Sequence, residues 1–515
     1  MSLPSGGPAT PRQAAPVARR LRRLALACLV LLCVFVLAAG LAVARMLPRR
    51  LEQWNVPRVR ERPAAAPAPP LPAASGAGAA SGAAAAPGAS AAGPGVTPAG
   101  LQAVLAGLLS ASVLGPHVGM LVTNLATGQV LYARGATAGF TPASTTKLAT
   151  AVAALQVLGP AARLRTEVVT GPSGVAGGAS SIVLVGGGDP TLTAGRPPAA
   201  TYPQPASLAQ LAARTASALR RGGRDRVTIG YDTALFTGPG MAPGWTAGYV
   251  ATGNVTPISP LEVDQGRLTP GGAPEDADDP SNSRPRTTVP GPDAARAFAA
   301  FLAADGIRVV GAPVAVAAPG GAQTLASVSS PTVAQMAGQM LVESNNVIAE
   351  NLARQVAIAA RQPASFSGAA TAEMTALRRL GVTGVHLVDG SGLSPDDQIT
   401  PAALVRLIGL AASPGRPELR EAITGLPVAG FSGTLAAGGS VFGETGQAAW
   451  GVVRAKTGNL DTVTALAGIV AARSGQLLSF AVMADRLRAR ALNAAGAQIA
   501  RVATALAGCG CRGGG

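Results

Sequence analysis

Lysine is almost absent from this chain of 515 residues. Of its 41 basic residues only Lys147 and Lys456 are lysines, and all the others are arginines. Such a bias is typical of a GC-rich genome and is by itself no evidence of function. Histidine is equally rare, with His117 and His386 alone, which excludes a histidine-rich set of metal ligands. The four cysteines lie in an apolar segment and at the C-terminus, so the sequence predicts no metal site and no cofactor.

Aromatic residues are also scarce, at 3% of the chain, and this bears on the net charge of +16. A nucleic-acid-binding surface is densely basic and often interleaved with aromatic residues. Here eleven arginines lie between residues 12 and 62, whereas the chain from residue 99 onward has 30 basic and 23 acidic residues. The excess positive charge therefore flanks an apolar N-terminal segment, and no nucleic-acid partner is predicted.

That apolar segment, residues 24–44, contains 21 residues without a charge. As a helix it reaches roughly 30 Å, the thickness of the hydrocarbon core of a bilayer. Four arginines within residues 19–23 precede it, so the positive-inside rule places the N-terminus in the cytoplasm. We expect a single-pass anchor in the cell membrane with the bulk of the protein outside the cytoplasm. The alternative is a signal peptide cleaved near "AVA", which leaves a secreted protein.

A low-complexity stretch of proline, alanine, glycine and serine follows, and it cannot form a packed core. It predicts a flexible tether that ends where the folded region begins, near residue 99. A Gly/Pro-rich middle region divides the folded part and predicts an inserted domain. The predicted organisation is a cytoplasmic basic segment (1–23), an anchor or signal (24–44), a linker (45–98), the first part of the main domain (99–168), the insert (169–325), the second part of the main domain (326–508) and a tail (509–515).

Hydrophobic periodicity predicts the elements of the main domain. "GMLVTNLATGQVLYARG" predicts two strands joined by a turn, and "STTKLATAVAALQVLG" predicts a helix that ends at Gly159. A long helical stretch begins at Pro331, and three consecutive strands precede a C-terminal amphipathic helix. The middle region is strand-like. These elements favour an α+β fold in which helices pack on an antiparallel sheet, interrupted by a mostly β insert.

Ser144 and Lys147 lie three residues apart in the predicted helix, so their side chains can share one face. A hydroxyl is a weak nucleophile that needs a nearby base. A lysine amine can be that base once burial lowers its pKa, whereas an arginine stays protonated. The pair predicts an activated serine, although for the isolated pattern a capping serine beside a solvated lysine is the simpler interpretation.

Two further patterns carry polar side chains. Ser344 and Asn346 supply a hydroxyl and an amide, which can shuttle a proton and hold a substrate amide. Lys456, Thr457 and Gly458 place a cation and a hydroxyl at the end of a strand, where they can bind a carboxylate. Each of these patterns alone is also explained by an ordinary turn.

Together and in this order, S-x-x-K, S-x-N and K-T-G are the signature of penicillin-recognising serine enzymes, and both lysines of the chain fall inside it. The chain resembles the D-alanyl-D-alanine carboxypeptidase/endopeptidase family of class C low-molecular-mass penicillin-binding proteins. "LVGGGDPTL", "DGSGLS" and "LPVAGFSGTL" are also typical of that family, and the resemblance covers residues 101–508. It implies the transpeptidase fold shared by penicillin-binding proteins and serine β-lactamases, with an extra domain between the first two motifs.

The resemblance also implies a reaction and roles for the motif residues. A D-Ala-D-Ala-type bond in peptidoglycan peptides would be cleaved through an acyl-enzyme that is then hydrolysed, and β-lactams would be covalent inhibitors. Ser144 would be the acylated nucleophile and Lys147 its base. Ser344, Asn346 and Lys456 would relay a proton and bind the substrate amide. Thr457, Gly458 and Asn459 would bind the carboxylate. The backbone N–H groups of Ser144 and Asn459 would form an oxyanion hole.

Two places depart from the family pattern. Many relatives have a basic residue after "DGSGLS", where this chain has Pro395. Some relatives have an acidic residue in a loop whose counterpart here, "GWTAGYVATGNVTPIS", has none. These absences concern recognition of the substrate side chain. Two alternative functions also stay open, a β-lactamase that deacylates the drug quickly and a non-catalytic, membrane-tethered protein that binds the cell wall.

Overall fold

The structure is a computed structural model that describes residues 95–172, 179–268, 284–437, 441–442 and 444–509. The predicted anchor or signal at residues 24–44 lies outside the described residues, as does nearly all of the predicted linker. Within the described part of the chain, no helix combines the length and the apolar character needed to cross a membrane.

Helices and strands alternate along most of the described chain. The α-helices are α1 (Pro98–Leu109), α2 (Lys147–Leu158), α3 (Leu208–Arg221), α4 (Gly248–Ala251), α5 (Pro290–Ala304), α6 (Val333–Glu343), α7 (Asn346–Ala359), α8 (Phe366–Arg379), α9 (Pro401–Ala412), α10 (Glu421–Thr424) and α11 (Leu492–Gly508). The strands are β1 (His117–Asn124), β2 (Val130–Arg134), β3 (Arg165–Thr170), β4 (Ser180–Val185), β5 (Arg226–Asp232), β6 (Arg308–Val309), β7 (Val314–Ala315), β8 (Thr324–Ser329), β9 (Val385–His386), β10 (Gln398–Ile399), β11 (Val453–Leu460), β12 (Val463–Ala471) and β13 (Leu477–Asp485). Short 3₁₀ turns lie at Ser112–Leu114, Ala143–Thr146, Asp264–Gly266, Pro417–Leu419, Gly433–Leu435 and Glu444–Ala449.

The main sheet has five antiparallel strands in the order β11-β12-β13-β1-β2. Successive residues of a strand point to opposite faces. On β13, Phe480 and Val482 therefore pack with α1 and α11, whereas Ala481 and Met483 pack with α2 and α6 to α9. The sheet is the middle of three layers, and β11 is one of its two edge strands. The predicted β1–β2 hairpin, the three C-terminal strands and the terminal helix are confirmed.

A second sheet is built from the strands of the insert, in the order β6-β5-β4-β3-β8, with β7 beside β5. Its strands extend from Arg165 to Ser329, four residues beyond each predicted end of the insert. Two long helices, α3 and α5, pack on this sheet through residues such as Leu211 and Phe298. The interpretation of this region as strand-like missed both helices, which are rich in alanine and lie between Gly/Pro-rich loops.

The helical stretch predicted from Pro331 is two helices separated by a sharp bend. Ser344 ends α6 with φ of 58°, in the left-handed region that is uncommon for residues other than glycine. The side chain of Asn345 then caps α7 by accepting a hydrogen bond from the N–H of Ile348 at 3.1 Å. The bend carries Ser344 and Asn346 at the point where the two helices meet.

Candidate active site

Ser144 lies in the 3₁₀ turn that leads into α2, so the α-helix begins at Lys147 rather than at the serine. The preceding residue, Ala143, has φ of 48°, a left-handed conformation that costs about 1–2 kcal/mol in a residue with a Cβ. Gly458 of β11 packs directly against this turn, since a Cβ on Gly458 would lie 2.5 Å from the carbonyl oxygen of Pro142. The glycine of K-T-G thus allows the strand to lie against the turn that carries Ser144.

Lys147 is fully buried, and three oxygen atoms surround its amine. Its Nζ lies 2.9 Å from Ser144 Oγ, 2.7 Å from Asn346 Oδ1 and 2.7 Å from the carbonyl oxygen of Ser391. Burial lowers the pKa of Lys147 to about 7, although nearby carboxyl groups, Asp389 first among them, oppose this shift. A lysine with this pKa is partly neutral at neutral pH and can accept the proton of Ser144.

Lys456 is the second fully buried lysine, on β11. Its Nζ donates a hydrogen bond to Ser344 Oγ at 2.8 Å and another to the carbonyl oxygen of Thr457 at 3.0 Å. Burial lowers the pKa of Lys456 well below its ordinary value, and the charge of Lys147 adds to this effect. The two lysines therefore meet the same bend between α6 and α7, Lys147 at Asn346 and Lys456 at Ser344.

The outer edge of β11 presents backbone N–H groups beside the turn of Ser144. The N–H of Ala455 donates to the carbonyl oxygen of Pro427, outside the main sheet. Residues two apart in a regular antiparallel strand direct their N–H groups to the same edge, and the pairing of β11 with β12 has no register shift. The N–H groups of Thr457 and Asn459 therefore point to this edge, where a ligand backbone can pair with them.

Two buried acidic residues hold the loop that contacts Lys147. Glu350, one turn after the start of α7, accepts hydrogen bonds from the N–H groups of Ser391 at 2.8 Å and Gly390 at 3.1 Å. Asp389 also accepts from Ser391, at 3.0 Å. Burial, and then the charge of Asp389, raises the pKa of Glu350 to about 8. This carboxyl group is thus mostly protonated at neutral pH.

The structure brings the residues predicted from the sequence into one cluster, namely Ser144, Lys147, Ser344, Asn346, Lys456, Thr457, Gly458 and Asn459. Two residues near this cluster were not among the predicted site residues, Glu350 and Thr434. Thr434 Oγ1 lies 3.0 Å from Thr457 Oγ1. Glu350 follows Asn346 by four residues on one helix, a spacing that puts both on one face and that could have identified it. Thr434 lies in the family-typical stretch "LPVAGFSGTL", but its contact with Thr457 depends on the tertiary fold.

A cavity of about 480 Å³ adjoins the cluster, with Leu460 and Asp461 on its wall directly after Asn459. Pro395 and Tyr249 also line it, so both departures from the family pattern lie on one cavity wall. The remaining lining residues are Gly139, Thr141, Gly244, Thr246, Gln398, Thr462, Val463, Asp485 and Arg486. Its charged residues are Asp461, Asp485 and Arg486, which lie outside the two places where the chain departs from the family pattern.

Comparison with known proteins identifies the family. The model of the D-Ala-D-Ala carboxypeptidase 3 (S13) family matches residues 101–290 and 271–506. A carboxypeptidase of Mycobacterium tuberculosis (strain ATCC 25618 / H37Rv) is 38% identical over 418 residues, which cover 80% of this chain and 85% of that protein. Carboxypeptidase DacB of Mycolicibacterium smegmatis is 36% identical over 445 residues, covering 84% of this chain and 91% of that protein.

The fold is also similar to a solved structure. The crystal structure of penicillin binding protein 4 from Haemophilus influenzae matches with a TM-score of 0.61 at 20% identity, covering 77% of this chain and 97% of that chain. This similarity confirms the predicted transpeptidase fold with its inserted domain. The chain belongs to the D-Ala-D-Ala carboxypeptidase 3 (S13) family, as the three motifs had indicated.

Proposed function

We propose that this protein is a serine-type D-Ala-D-Ala carboxypeptidase/endopeptidase that acts on peptidoglycan peptides through an acyl-enzyme and is inhibited covalently by β-lactams. Membership of the family supports this function. The observation that carries it is the buried amine of Lys147, with a pKa near 7, at 2.9 Å from Ser144 Oγ. A hydroxyl beside a partly neutral amine is the arrangement that nucleophilic catalysis requires.

In the acylation step, Ser144 Oγ attacks the carbonyl carbon of the penultimate D-alanine, and its proton passes to Lys147 Nζ. The oxyanion that forms would be stabilised by the backbone N–H groups of Ser144 and Asn459. Removing one such donor typically costs about 3 kcal/mol in the transition state. Asn346 accepts a hydrogen bond from Lys147, so its side chain orients the amine towards Ser144.

Collapse of the tetrahedral intermediate breaks the C–N bond, and the departing amine needs a proton. Ser344 is placed to supply it, because its Oγ accepts a hydrogen bond from Lys456 Nζ and can be reprotonated from there. Thr457 and Gly458, at the open edge of β11, would hold the terminal carboxylate and the backbone of the substrate. Water then hydrolyses the ester and releases the shortened peptide. One proton of the water returns to Lys456 through Ser344, and Lys147 returns its proton to Oγ, which regenerates the Ser144 hydroxyl.

Release of D-alanine from a peptide ending in D-Ala-D-Ala tests this function. We expect the region from residue 95 onward to release D-alanine. Its Ser144→Ala variant should release none, although both proteins should have the same midpoint of thermal unfolding. Equal release by both proteins would rule out Ser144 as the nucleophile. A β-lactam that is turned over rapidly would favour a β-lactamase instead. Absence of both D-alanine release and penicillin labelling would favour a non-catalytic wall-binding protein.

We further propose that residues 24–44 anchor the enzyme in the cell membrane, with residues 45–98 as an extracytoplasmic tether. The uncharged length of 21 residues and the preceding arginines support this location. N-terminal sequencing of the full-length protein from the membrane fraction tests it. An intact N-terminus in that fraction is expected, whereas a mature protein that begins after residue 44 in the medium would show a cleaved signal.

A further inference from the structure

The inserted domain contacts the active site at the carbonyl oxygen of Asn254, which accepts a hydrogen bond from Asn346 Nδ2 at 2.8 Å, and at the side chain of Trp245. Its indole Nε1 donates a hydrogen bond to Asp389 Oδ2 at 2.7 Å. Its ring packs edge-on against Phe366 of α8, with centroids 5.3 Å apart and planes at 71°. The neighbouring Gly244, with φ of 82°, lies so close to Pro395 that an added Cβ would be 3.0 Å from its Cδ. Trp245 is therefore held on both sides of its contact with Asp389.

Asp389 organises the loop that carries the "DGSGLS" motif. It is 2% exposed, and its two oxygens accept hydrogen bonds from backbone N–H groups of Ser391 at 3.0 Å, Gly392 at 2.6 Å and Ser394 at 2.7 Å. Trp245 supplies a fourth donor and is the contribution of the insert. A buried carboxylate needs several such donors, because an unpaired charge in the interior is costly.

The same loop contacts Lys147 and the turn that carries Ser144. The carbonyl oxygen of Ser391 accepts a hydrogen bond from Lys147 Nζ at 2.7 Å. Gly392 packs against the turn of Ser144 so tightly that a Cβ would lie 1.9 Å from the carbonyl oxygen of Ala143. A displacement of the loop would therefore move the amine relative to the hydroxyl that it activates.

We propose that Trp245 is a positioning residue for acylation: its indole N–H fixes the Asp389 loop, and this loop holds the amine of Lys147 beside Ser144. The inserted domain is then part of the catalytic apparatus rather than an appended module. This inference rests on the proposed function, in which Lys147 is the base. It concerns a residue that does not itself touch the reacting atoms.

Loosening of the loop would change how the rate of acylation depends on pH, because burial lowers the pKa of Lys147. A loosened loop admits water, weakens this effect and raises the pKa of the amine, so that a higher pH is needed to generate the base. The titratable groups around Lys147 are all retained when only the indole N–H is removed. These groups are Asp389 and Asp397 of the loop, Glu350 of α7, Glu373 of α8 behind Glu350, and Lys456 of β11.

The test is the rate of acylation by a fluorescent penicillin, measured against pH, together with kcat and KM for release of D-alanine. Two variants remove the N–H, Trp245→Phe and a protein with 3-benzothienylalanine at position 245, which keeps the shape of the indole. Trp450→Phe is the matched control, since Trp450 Nε1 has no hydrogen-bond partner among the described residues. Thermal unfolding of each protein is recorded alongside.

We expect both variants at position 245 to be acylated about tenfold more slowly, which corresponds to about 1.4 kcal/mol in the barrier. The rise of the rate with pH should move to higher pH by roughly half a unit or more. The value of kcat should fall while KM stays within about twofold, because the N–H that is removed donates to Asp389 and both variants keep an aromatic ring at position 245. The Trp450→Phe control should keep the rate and the pH profile of the original protein.

Three results would overturn the proposal. One is an unchanged rate and pH profile in both variants at position 245. Another is slower acylation in Trp245→Phe but not in the 3-benzothienylalanine protein, which would assign the effect to ring shape. If Trp245→Phe does not fold, the 3-benzothienylalanine protein alone tests the role of the N–H. The third is the same change in Trp450→Phe, which would indicate a general packing effect. Failure of the original protein to be acylated would instead contradict the proposed function itself.

Discussion

Replacing Lys147 with arginine keeps the positive charge at a fully buried position of the site but removes the ability to act as a base. The amine of Lys147 is fully buried and contacts three oxygen atoms at 2.7–2.9 Å. A guanidinium can donate to the same oxygens and retains a positive charge. It cannot lose its proton at an accessible pH, so it cannot take the proton of Ser144. The variant therefore tests the role of the amine as a base.

The size of the effect follows from the pKa of Lys147. Because burial lowers it from 10.5 to about 7, about half of the amines are neutral at pH 7. For arginine, with a pKa above 12, the neutral fraction at that pH is on the order of 10⁻⁵. A general base typically contributes 10²–10⁴-fold to a rate, so we expect Lys147→Arg to be acylated about a hundredfold to ten-thousandfold more slowly.

Acylation by a fluorescent penicillin, followed against time in a gel, measures this rate. In the unaltered protein it should fall about tenfold per pH unit below pH 7, as Lys147 becomes protonated. Arg416→Lys is a matched control, because Arg416 is half-exposed and hydrogen-bonds Gln156, remote in sequence from the motifs. Its rate should be unchanged. A Lys147→Arg rate within tenfold of the unaltered protein would refute the role of the amine as a base.

Further variants test the surroundings of the motif residues. Gly458→Ala should reduce the rate of acylation by at least about tenfold in the same assay. The added Cβ would lie 2.5 Å from the carbonyl oxygen of Pro142 and would push β11 away from the Ser144 turn. A normal rate would contradict that packing. Thr434→Val should raise KM for a D-Ala-D-Ala peptide about two- to tenfold with little change in kcat, since it removes a 3.0 Å hydrogen bond to Thr457. An unaltered KM in steady-state kinetics would show that this contact does not support carboxylate binding. The free energy of unfolding of Glu350→Gln, measured in denaturant at pH 7, should lie within about 1 kcal/mol of that of the original protein, because burial keeps Glu350 mostly protonated. Glu350→Ala should be less stable by about 2 kcal/mol, because it removes the acceptor of two backbone N–H groups. Equal losses in both variants would show that the carboxylate charge matters.

Local periodicity explains which parts of the fold could be predicted. Strands β11 to β13 alternate between two packed faces and are separated by short turns, so their pattern is visible in sequence. Helices α3 and α5 were missed because the flanking loops contain many glycines and prolines, although the buried side chains of α3, such as Leu208, Leu211 and Leu219, follow the period of a helix. The bend at Ser344 was visible only as a polar interruption, since its φ of 58° depends on the packing of two helices.

The candidate active site could be predicted as a set of residues that cluster, but not as a set of contacts. The order of three motifs indicated which residues cluster, and each motif is local in sequence. The hydrogen bond between Lys147 and Asn346 spans 199 residues, and that between Trp245 and Asp389 spans 144. No local pattern reports such pairs. The pKa of Lys147 is likewise set by burial, which only the folded chain provides.

The most direct test of the central claim is peptide mapping by mass spectrometry after incubation of the region from residue 95 onward with penicillin. We predict a single covalent penicilloyl adduct on the peptide that contains Ser144, and no adduct in the Ser144→Ala variant. An adduct on another residue, or an unmodified Ser144 in a folded protein, would contradict the assignment of this serine as the nucleophile.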